Sequence, residues 1–149
     1  MAASPPRRWI DREVVEGYLF ADDPRRILLF RRPPARGGFW APVSGKVDPT
    51  DGDYEAAMRR ELREETGFDP PRRLFPLDWE VVFEAPMGGE IWRLHAFGIE
   101  VPADAEPRLS EEHDRFEWLA PPEARDRLHY PDNKQALDRL LDILDRAVR

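Results

Sequence analysis

Residues 54–68 read Tyr-Glu-Ala-Ala-Met-Arg-Arg-Glu-Leu-Arg-Glu-Glu-Thr-Gly-Phe, and this stretch constrains the chain more than any other. Good helix formers fill 54–66, Asp53 suits an N-cap and Gly67 stands where helices commonly stop, so a helix is predicted there. At about 100° per residue, Glu61, Glu64 and Glu65 fall on one side of it, with Met58 and Leu62 in the neighbouring apolar sector. Taken alone this is poor helix design. Glu61 repels Glu64 and Glu65, and all three lie toward the C-terminal end, where the helix dipole disfavours anions. Arg60 reaches Glu64 and Glu55 pairs with Arg59, which explains part of the pattern as ordinary helix ion pairing. The rest calls for a positive partner. A glycine-rich loop precedes the helix and offers carbonyl oxygens, and hard oxygen ligands of this kind suit Mg²⁺ or, alternatively, Mn²⁺.

Composition narrows the setting of that helix. A chain of 149 residues, 41% hydrophobic, is large enough to bury one real core, so a single domain over 1–149 is expected. Its longest apolar runs are a handful of residues, far short of the roughly 20 that cross a bilayer. Met1-Ala2-Ala3-Ser4-Pro5-Pro6 leads to Arg7-Arg8 without an apolar stretch, which argues against a secretory leader and for a cytoplasmic protein. The absence of cysteine removes disulfides, thiolate zinc sites and cysteine nucleophiles. A net charge of −7 argues against a nucleic-acid binder, although an acidic protein can hold phosphates through an intervening metal.

The remaining elements point to an α/β (α+β) arrangement. Strands are predicted at 13–20 and 26–32, forming a hairpin about Ala21-Asp22-Asp23-Pro24. Residues 33–53 are mostly loop, with a short extended piece at 39–43. Two further strands at 79–85 and 90–101 are joined at Pro86-Met87-Gly88-Gly89, and a short one follows at 115–119. After Pro131-Asp132, Leu137, Leu140, Leu141, Leu144 and Val148 form one stripe at helical spacing, marking a surface helix. No phosphate-binding P-loop, serine-hydrolase elbow or His-Glu-x-x-His motif is present.

From Gly45 to Phe68 the chain resembles the Nudix box, matching its second half, Arg-Glu-hydrophobic-x-Glu-Glu-x-Gly-hydrophobic, at every fixed position of 60–68. The first half departs. Gly52 stands where a glutamate is usual, and the loop carries one extra residue, so Asp51 or Asp53 is a candidate to replace that carboxylate. The resemblance implies a Nudix fold, a mixed β-sheet sandwiched between α-helices, and hydrolysis of a nucleoside diphosphate linked to another group. It also implies that Glu61 and Glu65 bind the metal directly, that Glu64 binds it directly or through water, that Gly45 lends its carbonyl, and that Arg60 orients the carboxylates.

Outside the box, residues 110–119 resemble a segment of bacterial dihydroneopterin triphosphate pyrophosphatases and their dNTP-hydrolysing relatives, in which Glu112 would complete the metal site or act as base. His113 beside it is expected to be a loop residue. Arg31-Arg32, Gly38-Phe39-Trp40, Val43-Ser44-Gly45-Lys46 and the run from Tyr130 through Asn133 fit the same subgroup. This implies Arg31 or Arg32 on a phosphate, Phe39 or Trp40 stacked on a base or pterin, and Ser44 and Asn133 in the binding site; for the aromatics, simple core filling is an equal alternative. The expected protein is thus a Mg²⁺-dependent pyrophosphohydrolase, with Glu64, Glu65, Glu112 and Arg60 as its catalytic set. Its expected partner is a nucleotide or pterin triphosphate, without nucleic acid or membrane, and it would act as monomer or homodimer. A dinucleoside polyphosphate or nucleotide-sugar hydrolase, and a Nudix-shaped ligand sensor without turnover, are the alternatives.

Overall fold

A computed structural model describes residues 9–85 and 88–147. The N-terminal Met1 to Arg8, Pro86 and Met87 of the expected turn, and Val148 of the expected stripe lie outside the described residues.

Strand β1 (Arg12–Asp22) is the hub of the sheet. It is buried without interruption from Val14 to Ala21, because helices cover both of its faces. Its far end turns into β2 (Arg25–Arg31) in the antiparallel hairpin expected, with Leu19 opposite Leu28. β3 (Trp40–Ala41) pairs with the end of β2, and β4 (Val43–Lys46) pairs antiparallel with the first half of β1. The same edge of β1 therefore serves β4 early and β2 late. On its other edge β1 runs parallel to β6 (Ile91–Glu100), which in turn pairs with the outer strand β5 (Arg73–Glu84). β7 (Arg115–Leu119) lies beyond β2, completing a mixed seven-stranded sheet with the central order β3-β2-β1-β6-β5.

Alternation along β1 divides the core. Val15 and Leu19 point toward helix α1 (Tyr54–Thr66) and pack with Met58, Leu62, Phe97 and Ile99. Tyr18 and Phe20 point the other way, toward α2 (Pro121–Arg127) and α3 (Pro131–Ala147), and join Ala124, Leu128, Leu137, Leu140 and Leu144. This is the helix-sheet-helix sandwich that the resemblance implies. No helix among the described residues is long and apolar enough to cross a membrane.

Two elements depart from the sequence expectation. β5 begins at Arg73, earlier than residue 79, and its register shifts between Pro76 and Glu80. Proline is tolerated at such an irregularity on an edge strand, where the missing N–H breaks no ladder. The short α2 starts on Pro121-Pro122, placing proline in the first turn, where its fixed φ suits the helix and its lack of an N–H costs nothing.

Candidate active site

Helix α1 delivers the carboxylates, and its ends are fixed as expected. The Ala56 N–H donates to Asp53 Oδ1 at 2.7 Å, while Gly67 closes the helix at φ 80° with its N–H on the Arg63 carbonyl. Glu61 and Glu65 are buried and Glu64 is exposed. Arg60 ties this face to the preceding loop, donating to both oxygens of Asp51 at 2.7 and 3.0 Å, to Glu61 at 2.9 Å, to Glu64 at 3.1 Å and to the Lys46 carbonyl at 2.9 Å. Asp51 thus takes the pairing role left open by Gly52, and Asp53 is occupied as the helix cap. Gly52 itself sits at φ 91°, a backbone state that a glutamate would enter at a cost of roughly 1 kcal/mol or more.

β4 passes directly against Glu61. A Cβ on Gly45 would fall 1.9 Å from the Glu61 carboxyl carbon, so only glycine leaves room for that carboxylate beside the strand backbone. Ser44, one residue earlier, faces the opposite side of the sheet, across from Glu16 of β1.

A third segment closes on the cluster from beyond α1. Ser110 Oγ donates to Glu65 Oε1 at 2.6 Å and accepts the Glu112 N–H at 3.1 Å. His113 lies in the loop before β7, as expected, but is buried; its Nδ1 lies 3.5 Å from Glu65 Oε1 and has no hydrogen-bond partner. Burial, reinforced by the charges of Arg32 and Arg36, pushes His113 down to about 4, so the ring is neutral near pH 7. Glu112 is held by Arg36, whose guanidinium stands 3.1 Å from its Oε2.

The electrostatics of the carboxylates show what they lack. Burial pushes Glu61 up to about 7 against the pull of Arg60, with Glu64 and Glu65 adding repulsion. Glu65 is raised as well, by burial first and then by the charges of Glu112 and Glu64, while its bond from Ser110 opposes the rise. Among the described residues no three acidic or histidine side chains already converge at coordinating distance. Guanidinium and hydroxyl donors hold several of their oxygens. The donor set still fits a hard divalent cation, because two buried carboxylates short of positive charge lie against a glycine cradle, with an unpaired histidine nitrogen alongside.

The residues expected on the substrate are spread over a neighbouring region. Arg31 is committed to Asp114 through two bonds of 2.9 and 2.7 Å. Arg32 donates to the Arg36 carbonyl at 3.2 Å and lies over the Phe39 ring at 5.6 Å. Phe39 stacks on His129 with centroids 4.7 Å apart and meets Tyr130 edge-on. Trp40 packs against the core on the α2 side under the Arg127 guanidinium. Asn133, in the first turn of α3, is buried and donates to Glu16 Oε2 and Tyr18 Oη, each at 3.2 Å.

That last contact belongs to a network that sequence reading missed, although a lone glutamate inside the apolar run from Val14 to Ala21 was its signal. Tyr18 Oη donates to Glu16, and burial pushes Glu16 up to about 7. The folded state therefore holds a proton on Glu16 in a pH window, 4.5 to 7, where the unfolded chain has released it, and stability falls as pH rises through that window. The shift corresponds to a penalty of about 3 kcal/mol above pH 7. Glu16→Gln is accordingly expected to match the natural protein at pH 5 and to exceed it in urea denaturation at pH 8 by 1–3 kcal/mol on this order-of-magnitude scale. A less stable variant at pH 8 would refute the assignment.

Ser110 and Arg36 also escaped the sequence reading, since their partners are fixed only by tertiary approach.

Comparison with known proteins bears on this geometry. The NUDIX domain family matches residues 12–140. The octanoyltransferase of Myxococcus xanthus is 37% identical over 139 residues, a match that takes in 92% of this chain but spans only 37% of that protein. The CTP pyrophosphohydrolase of Escherichia coli strain K12 is 32% identical over 121 residues, covering 80% of this chain and 81% of its own length. In fold, the structure of the E. coli dihydroneopterin triphosphate pyrophosphohydrolase superposes with a TM-score of 0.73 at 22% identity, over 88% of this chain and 97% of that one.

Proposed function

The chain belongs to the Nudix hydrolase family, and from that premise we propose that it hydrolyses a phosphoanhydride bond in a nucleoside triphosphate-like small molecule, releasing a monophosphate and pyrophosphate. A dNTP or dihydroneopterin triphosphate is the leading substrate class. The observation that carries the reading is the meeting of the buried Glu61 and Glu65 with the Gly45 cradle on one side and the Ser110–Glu112 segment on the other. Mg²⁺, or Mn²⁺ in its place, held by Glu61, Glu64, Glu65, Glu112 and the Gly45 carbonyl, would neutralise phosphate charge and lower the pKa of an attacking water. The chain's own work is positional and protolytic. Arg60 fixes Glu61 and Glu64 in one orientation, Ser110 aims Glu65, and Glu112 is the carboxylate outside the helix that takes a proton or completes the cation shell. Phe39, Trp40 and Asn133 lie around the start of α3, where a ring system would be read, and Arg32 offers a guanidinium to phosphate.

Pyrophosphate release measured over a panel of dNTPs, CTP, dihydroneopterin triphosphate, dinucleoside polyphosphates and nucleotide sugars tests the reading. Monophosphate plus pyrophosphate from a triphosphate supports it; turnover confined to dinucleoside polyphosphates or nucleotide sugars replaces the substrate class, and no turnover of any compound favours a sensor. The octanoyltransferase name describes a relative of which this chain spans little more than a third.

The role of Glu112 has its own control in its neighbour. Glu111 is exposed, whereas Glu112 is half-buried and turned toward Arg36. Glu112→Gln is expected to lower kcat at least about tenfold, roughly 1.4 kcal/mol of barrier, with little change in Tm, while Glu111→Gln stays within about twofold. Sensitivity at Glu111 with silence at Glu112 would shift the register by one residue.

A further inference from the structure

We propose that Arg36 receives the distal phosphates of the substrate, held in readiness by Glu112 and handed to the polyphosphate when that carboxylate engages a cation. The proposal rests on the triphosphate reading above and deepens it, because it names a residue that favours long phosphate chains over shorter ones.

Arg36 sits on a braced loop. Its N–H donates to the Pro33 carbonyl at 2.7 Å, the Gly38 N–H returns to the same carbonyl at 3.1 Å, and the Arg32 N–H bonds the Phe39 carbonyl at 2.9 Å. Phe39 is in turn pinned by His129 and Tyr130. The loop therefore presents Arg36 from a fixed base, with the side chain alone free to swing. Its guanidinium reaches Glu112 at 3.1 Å while the side chain as a whole remains 41% exposed, so a ligand arriving from solvent can approach it.

A second guanidinium stands beside it. Arg32 donates to the Arg36 carbonyl, and among the described residues no carboxylate lies within ion-pairing distance of it. Arg36 reaches Glu112, whose N–H is held by the same Ser110 hydroxyl that donates to Glu65, so its guanidinium stands beside the carboxylate cluster. Arg31, one residue before Arg32, is by contrast saturated by Asp114. The loop thus carries Arg36 on the Glu112 carboxylate and Arg32 beside it, and polyphosphate oxygens suit such guanidinium forks through paired N–H donation.

The exchange conserves charge contacts. Before it, Arg36 pairs with Glu112; afterwards Arg36 pairs with phosphate, and Glu112 with the cation that the phosphate still shares. An exposed arginine–glutamate pair of this kind stabilises a protein little, so giving it up costs little. Phosphate oxygens carry more charge and accept bidentately, which favours the second arrangement.

Two titrations separate this role from a structural one. Isothermal titration of Arg36→Ala with Mg²⁺ alone is expected to show affinity raised about two- to fivefold, because Glu112 is released from its competing cation. Titration with magnesium pyrophosphate is expected to show affinity lowered about tenfold, with Arg36→Lys between the variant and the natural protein. Opposite signs are the signature. Unchanged magnesium pyrophosphate affinity, or both affinities falling together, overturns the proposal. Steady-state kinetics should show a raised KM for the triphosphate with kcat largely kept. If no nucleotide is hydrolysed, the functional reading fails, while the two titrations still decide the role of Arg36.

Discussion

A folded Glu65→Gln protein is expected to lose at least about a hundredfold in pyrophosphate release at saturating Mg²⁺, roughly 3 kcal/mol of barrier. The substitution keeps the size of the side chain and an oxygen that can still accept from Ser110 Oγ, so the local packing has no reason to change. It removes the charge. In the natural protein that charge is costly, since burial, Glu112 and Glu64 all raise Glu65 above the ordinary carboxylate range. Metal-free stability should therefore stay level or rise by a few tenths of a kcal/mol, on the scale of relieved i,i+4 repulsion. The gain in Tm that Mg²⁺ gives the natural protein should shrink in the variant. Near-natural turnover in the folded variant would remove Glu65 from the reacting centre, and with it the proposed arrangement of the cluster.

The parts of this site that were legible in the sequence are those encoded locally. Helix α1 runs over the expected 54–66, with Asp53 and Gly67 at its ends, because capping and helix propensity are short-range effects. The hairpin of β1 and β2 was visible for the same reason. What the sequence left open was settled by approach in space. Asp51 rather than Asp53 pairs with Arg60, since the short turn before α1 aims Asp51 at the guanidinium while Asp53 is consumed as the cap. Ser110 meets Glu65 across 45 residues of chain, a contact that no local pattern announces. Arg31 and Arg32 are adjacent and chemically identical, yet strand pairing gives one to Asp114 and leaves the other over Phe39. Glu16 is the instructive miss. Its position within an apolar strand announced a buried carboxyl; Tyr18 binds it from the same strand face, and only the placement of α3 adds Asn133. Asn133 is therefore coupled to the buried network, so its substitution would change stability along with the substrate role proposed for it.

Gly45→Ala separates the fold from the chemistry most sharply, because one methyl group is enough. An added Cβ would lie 1.9 Å from the Glu61 carboxyl carbon and 2.2 and 2.3 Å from its two oxygens. No van der Waals contact is that short, so one partner must move. The strand backbone is held by its ladder to β1, with Val15 opposite Gly45, whereas the Glu61 carboxylate is the far end of a flexible side chain. The carboxylate is the part that yields. Moving it breaks the bond from Arg60 and takes it away from the glycine cradle, yet leaves Met58 and Leu62, the apolar anchors of α1, in place. Folding should survive with a Tm loss of only a few degrees, within the usual scale of about 1 kcal/mol for a domain of this size. Turnover should fall at least about a hundredfold, and Mg²⁺ should bind more weakly in titration. A variant that folds and turns over like the natural protein would show that Glu61 does its work from another position, whereas a variant that cannot fold would show that Gly45 serves the packing of α1 on the sheet and not the carboxylate.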